Sequence, residues 1–266
     1  FIGSGAFGTV YRGLWGERDV ALKVLNLPTS QVDEEASHLC RLSHNNVIQF
    51  FGVCELPEQN SPALVMEFAF GGPLNAVLRH HPVLSPSTLL TWSIQIATGM
   101  AYLHSDAKLV HRDLKSANRE FLYVLAGFSF KSDVWSYGVV LWELLTLELP
   151  FRTMEQPRLM YIIAMYNYTL HIPSDVPEMF SQLLRDCWSP EPDNRPSFED
   201  IIGRLKLAGY CNFTNMDADE LSRIQAGWRE SIQAHHQAEQ EVCPCIYVAL
   251  FLLYLRNSNA HAHVLF

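Results

Sequence analysis

The chain lacks most marks of a secreted, membrane-spanning or nucleic-acid-binding protein. Its six cysteines (Cys40, Cys54, Cys187, Cys211, Cys243 and Cys245) show neither a disulfide framework nor a CxxC pair, which points to a reducing compartment and a cytoplasmic protein. A basic excess is missing too. The formal charge is −9, whereas nucleic acids and anionic membranes attract a basic surface. Phe1-Ile2-Gly3 enters a motif at once, with no basic segment or apolar run before it, so no signal peptide is expected. An initiator Met is also absent, and the expectation is a piece of a longer protein. The one suspicious apolar run, Ile246 to Leu255, has ten residues, half of the roughly 20 that a membrane helix needs. Internal repeats and low-complexity tracts are lacking. What remains is a 266-residue chain, 48% apolar, enough for one or two ordinary globular domains.

Residues 1 to about 70 read as strand-rich: Thr9-Val10-Tyr11, Val20-Ala21-Leu22 and Ala63-Leu64-Val65-Met66 favour extended backbone and are separated by Gly and Pro. A helical interval, Val32 to Leu42, interrupts them. From Ser85 the period changes. Ser85-Pro86 gives an N-cap with Pro at the first helical position, and apolar residues at helical spacing run from Leu89 to His104. Val134 to Leu145 is apolar almost all round, the mark of a helix buried inside a domain. Helical patterns follow at Met179–Trp188 and Phe198–Leu207. Asn215-Met216-Asp217 can cap another helix, on which Leu221, Ile224, Trp228 and Ile232 are spaced 3, 4 and 4 along one face. A small strand-rich part followed by a larger helical part is an α+β arrangement.

Gly3-Ser4-Gly5-Ala6-Phe7-Gly8-Thr9-Val10 fits G-x-G-x-x-G-x-V. Glycines let backbone amides approach phosphate oxygens closely. Alone, the motif suits a hairpin turn, a dinucleotide fingerprint or a phosphate lid. The dinucleotide reading needs a helix directly after the glycines, but Thr9-Val10-Tyr11-Arg12-Gly13 reads as strand, and the lid gains. Lys23 stands 15 residues after Gly8, inside Val20-Ala21-Leu22-Lys23. There an ammonium can reach α- and β-phosphates, where an ordinary strand lysine would be solvated. Glu35 is its natural counter-ion; Glu34 competes, and the spacing to Leu42-Ser43-His44 favours Glu35. The strongest motif is His111-Arg112-Asp113-Leu114-Lys115-Ser116-Ala117-Asn118, which matches H-R-D-L-x-x-x-N. A carboxylate must accept or orient the proton of a substrate hydroxyl, and an amide oxygen five residues on can ligate magnesium. Lys115 would steady the transferring phosphate.

In this order, the three motifs resemble those of eukaryotic protein kinases from Phe1 to about Leu207, most closely the mixed-lineage serine/threonine kinases of the MAP kinase kinase kinase group. Leu64-Val65-Met66-Glu67-Phe68-Ala69 resembles the hinge that receives adenine, with Met66 as gatekeeper and Glu67 and Ala69 beside the base. Val10 and Ala21 resemble the apolar residues above it. Lys115 is similar to the serine/threonine type. Lys131-Ser132-Asp133 opens what resembles the central buried helix, where Asp133 would brace the backbone of the His-Arg-Asp loop. The resemblance implies a two-lobed kinase fold over 1–207, with an N-lobe of about 1–70 and a C-lobe of about 71–207. Residues 208–242 would form an amphipathic helical extension, similar to the stretch leading to a leucine zipper, and 243–266 an unassigned apolar tail. It also implies ATP and magnesium as cofactors and protein as substrate, a downstream MAP kinase kinase being one candidate. Oligomerisation through sequence beyond the C-terminus is implied as well.

One segment of that pattern is missing. A kinase carries Asp-Phe-Gly, whose carboxylate holds magnesium, and Ala-Pro-Glu, which closes the activation loop. Neither tripeptide occurs in this chain, and only 14 residues separate Asn118 from Asp133. Two strands of about five residues and their turn would nearly fill that space. Asn118 is then left as the sole metal ligand, and Arg195 loses the glutamate it would pair with. Impaired turnover is expected, with a non-catalytic nucleotide-binding pseudokinase or scaffold, built around the helix near Trp228, as the alternative. Cys243-Pro244-Cys245 and the apolar run read as an uninformative end. Together with the missing segment they suggest an aberrant splice or gene-model product.

Overall fold

The computed structural model describes residues 1–5, 8–25, 36–56, 61–114, 129–152, 154, 156–209 and 212–242. Glu35, Lys115 and Asn118, and the tail from 243, lie outside them.

The amino-terminal part is a five-stranded antiparallel sheet of β1 (Gly3–Gly5), β2 (Gly8–Trp15), β3 (Arg18–Leu25), β4 (Phe50–Leu56) and β5 (Ser61–Glu67), in the order β1-β2-β3-β5-β4. β-branched and aromatic residues (Thr9, Val10, Tyr11 and Trp15 of β2, Val20 and Val24 of β3) favour the extended backbone of these two strands, and β5 is a short apolar run, Ala63-Leu64-Val65-Met66. Gly8 is required by close packing: at its φ of +143° a Cβ would stand 2.0 Å from the carbonyl oxygen of Val24. β4 escapes the alternation test, because Gly52 interrupts it and the register shifts between Phe50 and Gly52. Of the expected helix at Val32–Leu42, the described part is helical over 36–39.

The rest is helical: α1 (Leu74–Leu78), α2 (Pro86–Ser105), α3 (Phe130–Thr146), α4 (Gln156–Tyr166), α5 (Glu178–Cys187), α6 (Phe198–Ala208) and α7 (Ala218–Val242). Local caps start them. Ser85 Oγ accepts from the Thr88 amide at 3.1 Å, and Asp217 Oδ1 accepts from the Glu220 amide at 2.7 Å, each satisfying a donor that the first turn leaves open. All residues from Ser132 to Thr146 of α3 are buried. Around α3 pack Leu89 and Met100 of α2, Phe180 and Leu183 of α5, Phe198 and Ile201 of α6, and Leu221, Trp228 and Ile232 of α7.

The segment 42–47 ties the sheet to this helical body. The Ser43 amide donates to Tyr102 Oη at 3.0 Å, His44 stacks on Tyr102 with centroids 4.9 Å apart, and Leu42 and Val47 pack on the core. Gly99 lets the chain come this close, since a Cβ there would lie 2.6 Å from the Asn46 carbonyl oxygen.

Candidate functional site

Strand register sorts the amino-terminal residues by face. Val10 opposes Lys23, which opposes Leu64, while Arg12 opposes Ala21, which opposes Met66. Directly opposed residues of an antiparallel pair point to the same side, and alternate residues share a face. Val10, Ala21, Lys23 and Met66 therefore lie on one face of the sheet, near its glycine-bearing β1–β2 end, where Gly3 pairs with Val10 and Gly5 with Gly8. Leu25 and Leu64 share that face, and against them pack Ala36 and Leu39 of the helical stretch. The residue before Ala36 is Glu35, so the helix expected to carry the counter-ion of Lys23 docks on the face that bears Lys23. Glu67 and Ala69 follow at the end of β5. Glu67 is held to β4's approach by its amide, which donates to the Gln49 carbonyl at 2.8 Å, and by its Oε2, which accepts from the Gln49 amide at 3.2 Å.

The second cluster is the loop 111–113. Asp133, 0% exposed near the start of α3, accepts from the His111 amide at 2.7 Å and from the Arg112 amide at 3.1 Å. His104 Nε2, at the end of α2, lies 2.8 Å from Asp133 Oδ2. Three elements thus converge on one buried carboxylate, which holds the loop in a fixed turn with Arg112 at φ +64°. Within the loop the Asp113 amide donates to His111 Nδ1 at 3.2 Å. The bracing task expected of Asp133 is present. The part of His104 was not read from the sequence; its 29-residue separation from Asp133 gives no local signal.

Lys115 and Asn118 lie outside the described residues, and so does Glu35. Among the described residues no group of three or more His, Cys, Asp or Glu is placed to hold a metal ion. Asp113 is the single carboxylate of its loop within 111–114. Hard divalent cations take several oxygen ligands, and among the described residues this loop offers the carboxylate of Asp113.

Arg195 is expected to lack its glutamate partner, and carbonyls receive its donors: its Nε donates to the Ser189 carbonyl at 2.9 Å and its Nη1 to the Lys131 carbonyl at 3.0 Å. Lys131 Nζ returns a hydrogen bond to the Arg195 carbonyl. No carboxylate pairs with Arg195 among the described residues, and burial holds the guanidinium's pKa below its ordinary value. Backbone carbonyls have taken over the donors that an acid would have satisfied.

The profile of the protein tyrosine and serine/threonine kinase family matches residues 1–123 and 119–205. The chain belongs to this kinase family. Its sheet followed by a helical body is the two-lobed α+β kinase fold expected from the motifs. The two matched spans meet at 119–123, in the stretch where Asp-Phe-Gly would otherwise stand. The kinase chain is 36% identical to mitogen-activated protein kinase kinase kinase 10 of Xenopus laevis, over 87% of its own length and 28% of that protein. It is 36% identical to mitogen-activated protein kinase kinase kinase 11 of Rattus norvegicus, over 87% of its length and 33% of the relative's. It is 32% identical to mitogen-activated protein kinase kinase kinase 12 of Rattus norvegicus, over 100% of its length and 33% of the relative's. The kinase chain thus spans about a third of the curated relatives it matches. The last alignment runs over 301 positions although the chain has 266 residues, so that relative has residues without a counterpart here. The likeness to MAP kinase kinase kinases read from the motifs is borne out.

Proposed function

We propose that this chain carries the machinery of ATP-dependent serine/threonine phosphorylation in a mitogen- or stress-activated kinase cascade, impaired by loss of the magnesium-holding and activation segment. Gly3, Gly5 and Gly8 form the phosphate lid, Val10 and Ala21 cover adenine, and Glu67 and Ala69 meet its edge beside the gatekeeper Met66. Lys23 anchors the phosphates with Glu35 as counter-ion. Asp113 orients the substrate hydroxyl and accepts its proton, while Lys115 steadies the transferring group and Asn118 is the remaining metal ligand. The observation that carries this reading is the common face of Val10, Ala21, Lys23 and Met66, an apolar shelf that also bears the Lys23 ammonium. A MAP kinase kinase as protein substrate is inferred from the relatives' names. Oligomerisation belongs, on this reading, to sequence of the longer protein. Among the described residues no helix is long and apolar enough to cross a membrane.

A non-catalytic nucleotide-binding module is the second reading, favoured by the absence of Asp-Phe-Gly anywhere in the chain. Recruitment of a partner by the Trp228 face has no support, because Leu221, Trp228 and Ile232 are buried on the core. Titration with an ATP analogue with and without magnesium, beside phosphotransfer by the wild type and Asp113→Asn, separates the two. Turnover lost in Asp113→Asn supports the enzyme. Metal-independent binding without turnover supports the second reading, and absence of any binding refutes both.

A further inference from the structure

The alternation that gathers Val10, Ala21, Lys23 and Met66 on one face brings a fifth residue with them. Arg12 is two residues beyond Val10 and directly opposite Ala21, so it stands on the same face, towards the end at which β5 releases the chain. Its guanidinium is fixed from one side by Asp19, whose Oδ1 accepts from Arg12 Nε at 2.7 Å. On the other side it lies over the ring of Phe68, 4.9 Å from the centroid, and 5.8 Å from the centroid of Phe70. The two rings pack edge to face with centroids 4.9 Å apart. A cation within about 6 Å of an aromatic face is attracted by the ring quadrupole.

These contacts join segments that the sheet's own hydrogen bonds leave apart. Arg12 belongs to β2 and Asp19 to β3, but Phe68 and Phe70 follow the last paired residue of β5, Glu67. Within the segment they begin, the Gly72 amide bonds the Ala69 carbonyl, a bond that does not reach the sheet. Phe70 is 76% exposed, so its contacts with Phe68 and Arg12 lie at the surface rather than in the core. We propose that Arg12 is a positioning residue that pins the segment leaving β5 against the sheet and so limits how far that segment swings away from the face bearing Val10, Ala21, Lys23 and Met66. The link to nucleotide exchange rests on the ATP reading above; the pin itself does not.

The test is hydrogen exchange of the amides of 68–72 in the full chain. Arg12→Ala should speed exchange there by about fivefold, the size expected from one exposed cation–ring contact, with the thermal midpoint unchanged because Arg12 is exposed. Phe68→Ala, which removes the nearer ring, should act in the same direction. The double variant should speed exchange by less than the product of the two single effects, because the two residues share a contact. Arg12→Lys, which keeps a cation over the ring, should restore most of the slow exchange. Unchanged exchange in Arg12→Ala, or strictly additive effects, would overturn the pin. Release of a fluorescent ATP analogue gives the second readout. Faster release from Arg12→Ala than from the wild type supports control of that face by the pinned segment, and equal release from the two, where the wild type binds the analogue, refutes it. If the wild type binds no analogue while the exchange pattern holds, the pin stands and the ATP reading alone falls.

Discussion

Glu143 lies inside α3, 3% exposed, and its Oε2 has no hydrogen-bond partner among the described residues. One turn to either side, Val140 and Leu147 pack with Leu144 against Leu78 of α1. Burial pushes the carboxyl from its ordinary 4.5 up to about 7, with the positive charge of Arg79 pulling weakly the other way. The native state then binds the proton more tightly than the unfolded chain does. The stability this confers is fully present below pH 4.5 and is lost as pH rises through about 7, because ionisation strands a charge among apolar side chains. At 1.36 kcal/mol per pKa unit, the loss between pH 5 and pH 8.5 is about 2–3 kcal/mol. Glu143→Gln keeps the shape and cannot ionise. Urea unfolding of both proteins across that range isolates the effect, since all other titrations are common to the two. The wild type should fall relative to the variant by about 2–3 kcal/mol, most steeply from pH 5 to 7. A difference independent of pH would refute the reasoning and mean that the carboxylate has a partner or water in the fold.

Two further outcomes follow from buried groups. Asp133→Ala removes the acceptor shared by the His111 and Arg112 amides and His104, and should cost about 2–4 kcal/mol in urea unfolding. It should also speed amide exchange at 111 and 112. Trp228→Ala, at a site 1% exposed, should cost about 3–5 kcal/mol, whereas a helix that merely waited for a partner would lose little.

Much of the fold was legible because its signals are local. Ser85 and Asp217 mark their helix starts through bonds to amides three residues away, and α3 announced its burial by lacking a polar face. β4 was not legible, because Gly52 and the adjoining shift in register destroy its period. The five-residue α1 is too short to show a helical period, and α4 was also missed. Within the site, the order of glycines, Lys23 and Asp113 was readable from motif spacing. The neighbours that arrive from far away in the chain were not: His104 at Asp133, and Phe68 and Phe70 at Arg12.

Motif chemistry depends on residue type and short spacing, so the glycine-rich turn, the strand lysine and the His-Arg-Asp loop could be recognised, and the missing Asp-Phe-Gly noticed, without coordinates. Packing decided the rest. Pairing register sets which side chains share a face, and it put Arg12 beside Ala21 and Met66. Docking of α7 turned a free-looking apolar stripe into core. Closure of the helical body brought carbonyls to Arg195 in place of an acid. Each of these outcomes includes a contact between segments tens of residues apart (Arg12 with the Ala21–Met66 pair, α7 with α3, Arg195 with Lys131), whose energy exists only once the chain has folded back on itself.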